Sequence, residues 1–300
     1  MRLVRFDDVA PIEFKGADGF RGGDIRFRDL LAGTEGTPGN YGLQWVEVDD
    51  AFATPRHRHA FEQVRILLEG EFGFGPGQVQ KAGTVGYFCE GTYYTQDAKG
   101  RSVTLLLQVG GPTGQGFMSR PQLKAGIAAL SARGSFHDGV YTWHDAAGVR
   151  HNQDSFEAVW EHVHGQAIRY PKPQFDAPVM MTPERFDWRP DPRAPGASLR
   201  RMARFHGQGL EIAQLRLDAG ARWTLDARDQ PWLAFCAEGT GRTEAGDWLA
   251  RTSIEVARGE AATLHAATAS TFWLLGLPTF DEAGPADDAA RAAADAAVTA

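Results

Sequence analysis

The sequence predicts an all-β protein built from two small β-barrels of one pattern, joined by a helical linker. Three observations carry that expectation. Short β-type segments separated by glycine turns fill both ends of the chain. Helical periodicity is confined to the middle, and the glycine spacing of the first β region recurs at an offset of about 169 residues.

The first region, residues 1–118, alternates β-type runs at 41–48, 63–68 and 102–109 with turns marked by Gly70, Gly73, Gly75, Gly77 and Gly83. Many short strands with glycine turns favour a sandwich or barrel. The linker spans 119–196. After Pro121, Leu123, Ile127 and Leu130 recur at helical spacing, with Gly134 placed to end the helix. A second helix begins near Asp154, where Glu157 three residues on gives a capping signal, and its apolar face is Phe156, Val159, Trp160 and Val163. The Pro-rich stretch 170–195 cannot be a regular helix, so it wraps the surface or pairs at a sheet edge. The β pattern returns at 197–280, in runs at 210–217, 232–236, 253–256 and 271–277. The Ala- and Asp-rich residues 281–300 are expected to form a flexible tail or a weakly held helix.

At 300 residues the chain is long enough for two cores. A formal net charge of −7 argues against a nucleic-acid backbone binder. No apolar run approaches the ~18 residues that cross a bilayer, and the first residues carry no secretory signal, so no membrane partner is expected and the cytoplasm is the default compartment. The two cysteines, Cys89 and Cys236, provide neither a disulfide framework nor a Cys-based zinc site.

The residues that carry chemistry cluster in 55–70. His57 and His59 are two apart, so on a strand their imidazoles project to one face. Two imidazoles on one barrel wall can hold a divalent metal, given a further ligand from a neighbouring strand. The bland alternative is a polar Arg-His-Arg-His strand facing solvent. By the same alternation Gln63, Arg65 and Leu67 share a face, while Glu62 points the other way. A buried guanidinium needs an anionic partner, either a substrate carboxylate or an acid of the barrel itself. Gln108, at the polar end of its run, lines the same cavity or faces solvent.

This stretch resembles the first motif of the cupin superfamily, G(X)5HXH(X)3,4E(X)6G. His57 and His59 match its histidines and Gly70 its closing glycine. Gln63 stands at the glutamate position, and Ala51 replaces the opening glycine. The second motif, G(X)5PXG(X)2H(X)3N, is present in altered form. Gly83 and Gly91 match, while Cys89 replaces the proline, Tyr94 the third histidine and Ala98 the asparagine. The resemblance implies two jelly-roll barrels, a bicupin, with the first barrel active. It implies one divalent metal ion (iron, manganese, nickel or zinc) held by His57, His59, Gln63 and Tyr94. Gln63 offers only a neutral carbonyl oxygen, however, and Tyr94 ligates well only as phenolate, so a polar pocket without its metal stays open.

Laid on the later region, the first motif puts Gly220, Asp226, Arg228, Trp232 and Gly239 on its fixed positions, and the second puts Gly259 and Ala262 on Gly91 and Tyr94. No usable ligand set results, so the second barrel is expected to be structural or dimer-forming. His162 and His164 lie at a helix end, where they favour the dipole. Two functions remain open. One is a metal-dependent enzyme acting on a small, anionic organic molecule, a dioxygenase or an isomerase or lyase, with Arg65 and Gln108 binding substrate and Tyr94 as ligand or as acid or base. The other is a non-catalytic small-molecule binding or sensor protein.

Overall fold

A computed structural model describes residues 1–16, 19–49, 51–205 and 209–280. The expected tail at 281–300 lies outside the described residues. Strands dominate, and the two halves repeat strand for strand. In the first barrel a seven-stranded antiparallel sheet runs in the order Ile12–Phe14, Ile25–Ala32, Tyr41–Val48, Ser102–Gly110, Phe61–Glu69, Val85–Phe88, Val179–Met181. In the second the order is Arg189–Pro190, Ala197–Arg204, Glu211–Leu217, Ser270–Gly276, Trp232–Glu238, Ser253–Val256, Arg2–Val4. A four-stranded sheet faces each. In the first barrel it comprises Ala53–His57, Tyr94–Ala98, Glu71–Gly75 and Gln78–Lys81. Its counterpart comprises Arg222–Leu225, Ala262–Ala266, Thr240–Thr243 and Gly246–Leu249.

The boundaries read from the sequence are crossed at both sheet edges. Arg2–Val4 pairs with Ser253–Val256 of the second barrel, and linker strand Val179–Met181 pairs with Val85–Phe88 of the first. Each covers an edge that would otherwise present unpaired backbone.

Strand alternation divides the buried side chains between two compartments. In Ser102–Gly110, Val103, Leu105, Leu107 and Val109 face the second barrel, whereas Leu106 turns into the first barrel's interior. Trp45, Val64 and Ile66 join that inter-barrel core with Leu233, Phe235 and Leu275. The Trp45 and Phe235 rings lie 6.3 Å apart, and Tyr87 stacks on Phe205 at 3.6 Å.

In the linker, helix α1 (Arg120–Ser131) is capped by Ser119, which exchanges a reciprocal capping box with Gln122. Helix α2 (Ser155–His164) starts at Asp154, whose carboxylate accepts from the backbone N–H groups of Phe156 and Glu157, and it ends at Gly165 with φ 65°. Gly134 does not cap α1. It opens a three-stranded sheet (Gly134–His137, Val140–His144, Arg150–Asp154) whose first turn is Asp138-Gly139, both with positive φ. Phe61, Leu123, Phe156 and Trp160 pack the linker onto one end of the first barrel. His164 stacks flat on Trp160, 4.2 Å between centroids, and burial lowers its pKa. Its Nδ1 lies 3.3 Å from the Trp160 carbonyl oxygen, so at the helix end expected for it the ring both packs and meets a carbonyl of the last turns. No described helix is long and apolar enough to cross a membrane.

Candidate ligand pocket in the first barrel

The strand register brings the expected site residues to one place. His57 ends Ala53–His57 and pairs directly with Tyr94 on the neighbouring strand. Gln63 and Arg65 follow one another on the inner face of Phe61–Glu69, and Gln108 is the cross-strand partner of Gln63. His59 differs from expectation, since the strand stops at His57 and His59 lies in the following connection. Its ring still comes within 4.9 Å of His57 and 5.9 Å of Tyr94, centroid to centroid, and His57 lies 4.5 Å from Tyr94. All four residues proposed to surround a metal are thus neighbours, buried in the barrel.

Their hydrogen bonds fix their chemical states. His57 Nδ1 lies 2.8 Å from the Pro55 carbonyl oxygen, which only an N–H can satisfy, so Nε2 keeps its lone pair. Burial, and then the charge of Arg21, push His57 down to about 4; burial and the His57 ring push His59 well below the usual imidazole range. Both rings are neutral at physiological pH. His59 stacks on Phe61 and leaves Nδ1 buried without a partner. Burial raises the Tyr94 phenol above its ordinary value, against the opposing charge of Arg65.

Arg65 sits at the centre of this arrangement, only 4% exposed. The Gln63 amide turns its oxygen toward it, accepting from Nε at 2.8 Å and Nη2 at 3.0 Å, because the reverse orientation would set an amide N–H2 against a guanidinium. The same amide position is 3.4 Å from the Tyr94 hydroxyl, and Gln108 meets the other end of the amide at 2.9 Å. The rings of Phe88, Tyr94 and Phe72 surround the guanidinium carbon at 4.6, 4.9 and 5.3 Å. Arg65 Nη1 has no hydrogen-bond partner, and no carboxylate pairs with Arg65 among the described residues.

Beside it lies a cavity of about 130 Å³. Its floor is apolar, with Val46, Val48, Phe52, Phe72 and Leu106. Phe117 and Met118, just before the linker, and Leu123 and Phe156 of its helices also line the cavity. Arg21, Arg120 and Gln44 also line it, and no sequence signal singled them out. Arg120 is paired with Asp29 at 3.1 Å and Arg21 with Asp154 at 3.8 Å, so Arg65 is the arginine of this wall whose charge is uncompensated. Gln108 faces the cavity, not solvent.

Glu62 points to the opposite face, as alternation requires, and is buried beside Tyr87 and Glu90 toward the barrel interface.

The donor set does not suit a resident divalent metal. No group of three or more His, Cys, Asp or Glu side chains able to hold an ion occurs among the described residues. The Gln63 oxygen is committed to Arg65, Tyr94 is held as a neutral phenol, and a guanidinium already places positive charge in the pocket. In the second barrel, Trp248, Phe272 and Trp223 fill the interior, while Asp226 lies near the surface in contact with Arg193 and Arg228 pairs with Glu211.

No family model matches the sequence, and no curated protein matches it. Solved structures align over almost the whole chain. A provisionally assigned dioxygenase from Nostoc punctiforme is 9% identical at a TM-score of 0.60, covering 95% of this chain and 85% of that one. Oxalate decarboxylase from Bacillus subtilis is 11% identical at a TM-score of 0.55, covering 94% and 76%. Together with the strand-for-strand repeat, these likenesses define the fold as that of the two-barrel cupins. The first barrel holds the cavity described above, whereas Trp223, Trp248 and Phe272 occupy the interior of the second.

Proposed function

We propose that the chain binds a small organic anion, a carboxylate with a compact apolar body, in the first barrel. The observation that carries this reading is Arg65, a buried guanidinium on a cavity wall with one nitrogen unpartnered and no acid paired to it among the described residues. Burying an unpaired charge is expensive, and a charge-assisted bond to a carboxylate offsets that cost. The size of the cavity supports a ligand whose apolar body is no larger than one benzene ring, since a pocket of about 150 Å³ admits one benzene. Its apolar floor suits a hydrocarbon body, and the neutral imidazoles, Gln108 and Tyr94 suit hydrogen bonding around the polar end.

A metal-assisted oxidation, isomerisation or lyase reaction is the competing reading, and it draws on the descriptions of the two structural neighbours. The donor set speaks against it. Thermal melts of the full chain with isobutyrate, benzoate and the matching neutral amides test the proposal. Saturable stabilisation by a carboxylate, approaching about 2.7 kcal/mol at a hundredfold excess over Kd, with none from the amide, is the expected result. Equal responses to acid and amide would defeat it.

A further inference from the structure

We infer that Arg65 takes over the role of a cation in this barrel, so that the first barrel works without a resident metal and presents its positive charge as a fixed guanidinium. The inference shares its pocket with the reading above, but its subject is the barrel's own charge and not the identity of the ligand.

Three features converge on it. First, the side chain at the motif's acid position is turned away from cation binding. Gln63 gives its carbonyl oxygen to two nitrogens of Arg65, at 2.8 and 3.0 Å, which leaves no free lone pair aimed at the imidazoles from a strong donor. Second, Arg65 is held in place. Alternation puts it two residues along the same wall, and Phe88, Tyr94 and Phe72 box its guanidinium carbon at 4.6, 4.9 and 5.3 Å. An arginine enclosed in this way cannot withdraw to make room for an ion.

Third, the two positions are too close to be charged together. The His57 ring and the Arg65 guanidinium carbon lie 4.5 and 4.9 Å from the same Tyr94 ring. A divalent ion bound to that imidazole, about 2 Å beyond its nitrogen, would stand within roughly 12 Å of a buried positive charge, and at an effective dielectric constant of about 20 that repulsion weakens binding on the order of 100-fold. Burial removes the water and salt that would screen it. What a Lewis-acidic ion offers an anion, a fixed positive centre, Arg65 already offers from the cavity wall, and its guanidinium keeps one nitrogen without a hydrogen-bond partner.

The test is metal analysis of the untagged full chain, with titrations of zinc and nickel into three proteins. The wild type is expected to purify well below stoichiometric metal and to take up either ion weakly. A Gln63→Glu, Tyr94→His pair supplies the missing carboxylate and third imidazole but keeps Arg65. Adding Arg65→Met to that pair is expected to tighten metal binding by roughly 100-fold. Near-stoichiometric metal in the wild type, lost in the His57→Ala, His59→Ala variant, overturns the inference whether or not the redesigned proteins fold. So does equal metal affinity with and without Arg65. Carboxylate binding that disappears when a chelator strips metal also overturns it, while leaving the pocket reading intact. Failure of a metal-free wild type to bind any carboxylate removes the pocket reading and leaves the metal result standing.

Discussion

Replacing Glu62 by glutamine isolates the electrostatic cost of the barrel interface. Glu62 is 5% exposed, and no ion pair to it occurs among the described residues. Burial, with a smaller contribution from the Glu90 charge, pushes its carboxyl up to about 7 from a starting value of 4.5, despite the opposing influence of the nearby Tyr87 hydroxyl. Because the folded chain holds this proton more tightly than the unfolded chain, stability falls as pH rises from about 4.5 to about 7 and stays lowered above. A shift of that size corresponds to about 3 kcal/mol. Glu62→Gln keeps the shape and removes the charge. The variant should match the wild type near pH 4 and exceed it by about 3 kcal/mol at pH 8, or roughly 6 °C in melting temperature. His57, whose pKa is depressed, contributes in the opposite sense over an overlapping range, so the wild-type curve alone is uninformative. The assay is therefore the difference between the two proteins' melting temperatures at matched pH from 4 to 8. A pH-independent difference, or a variant less stable at pH 8, would refute the reasoning.

Three other perturbations separate the parts of the account. Arg65→Met should cost at least about 30-fold in carboxylate affinity by calorimetry, because truncating one partner of a desolvated charge pair costs about 2–5 kcal/mol. Its stability should change by no more than about 1 kcal/mol, since relief of an unpaired charge offsets the lost Gln63 contact; a large loss of stability with unchanged affinity would make Arg65 purely structural. Gly241→Ala would bring a Cβ to 2.2 Å from Trp248 and 2.1 Å from the His265 carbonyl oxygen, so chemical denaturation should show about 1–3 kcal/mol of destabilisation or more, with ligand affinity in the first barrel retained. Gly19→Ala meets the Phe136 carbonyl oxygen at 2.1 Å from a residue with φ 72°, and hydrogen exchange should quicken in 134–154.

The fold was legible because its signals are local or periodic. Gly70 and Gly91 both take positive φ, which explains why those motif positions persist as glycine when the ligand positions around them have changed. Alternation along 61–69 separated Glu62 from Gln63 and Arg65 without any structure. The hairpin at Asp138-Gly139 also has a local signal, an Asp-Gly turn, but it is short and lies between two stretches of helical periodicity. The exchange of Arg2–Val4 into the second barrel was not readable, because three residues pairing some 250 positions away leave no local trace. Nor were Arg21 and Arg120, which reach the cavity from a loop and from the start of α1. Their charges are ordinary in sequence, and only the folded chain distinguishes them, with their acid partners, from Arg65 with none.

A crystal structure of the untagged chain soaked with benzoate tests the central claim most directly. The expected result is a benzoate in the first-barrel cavity, its ring on the Phe72–Leu106 side and a carboxylate oxygen about 2.7–3.2 Å from a nitrogen of the Arg65 guanidinium, with no ion between them. A metal on His57 and His59 with the carboxylate bound to it, or a cavity that excludes benzoate at saturating concentration, would contradict the account.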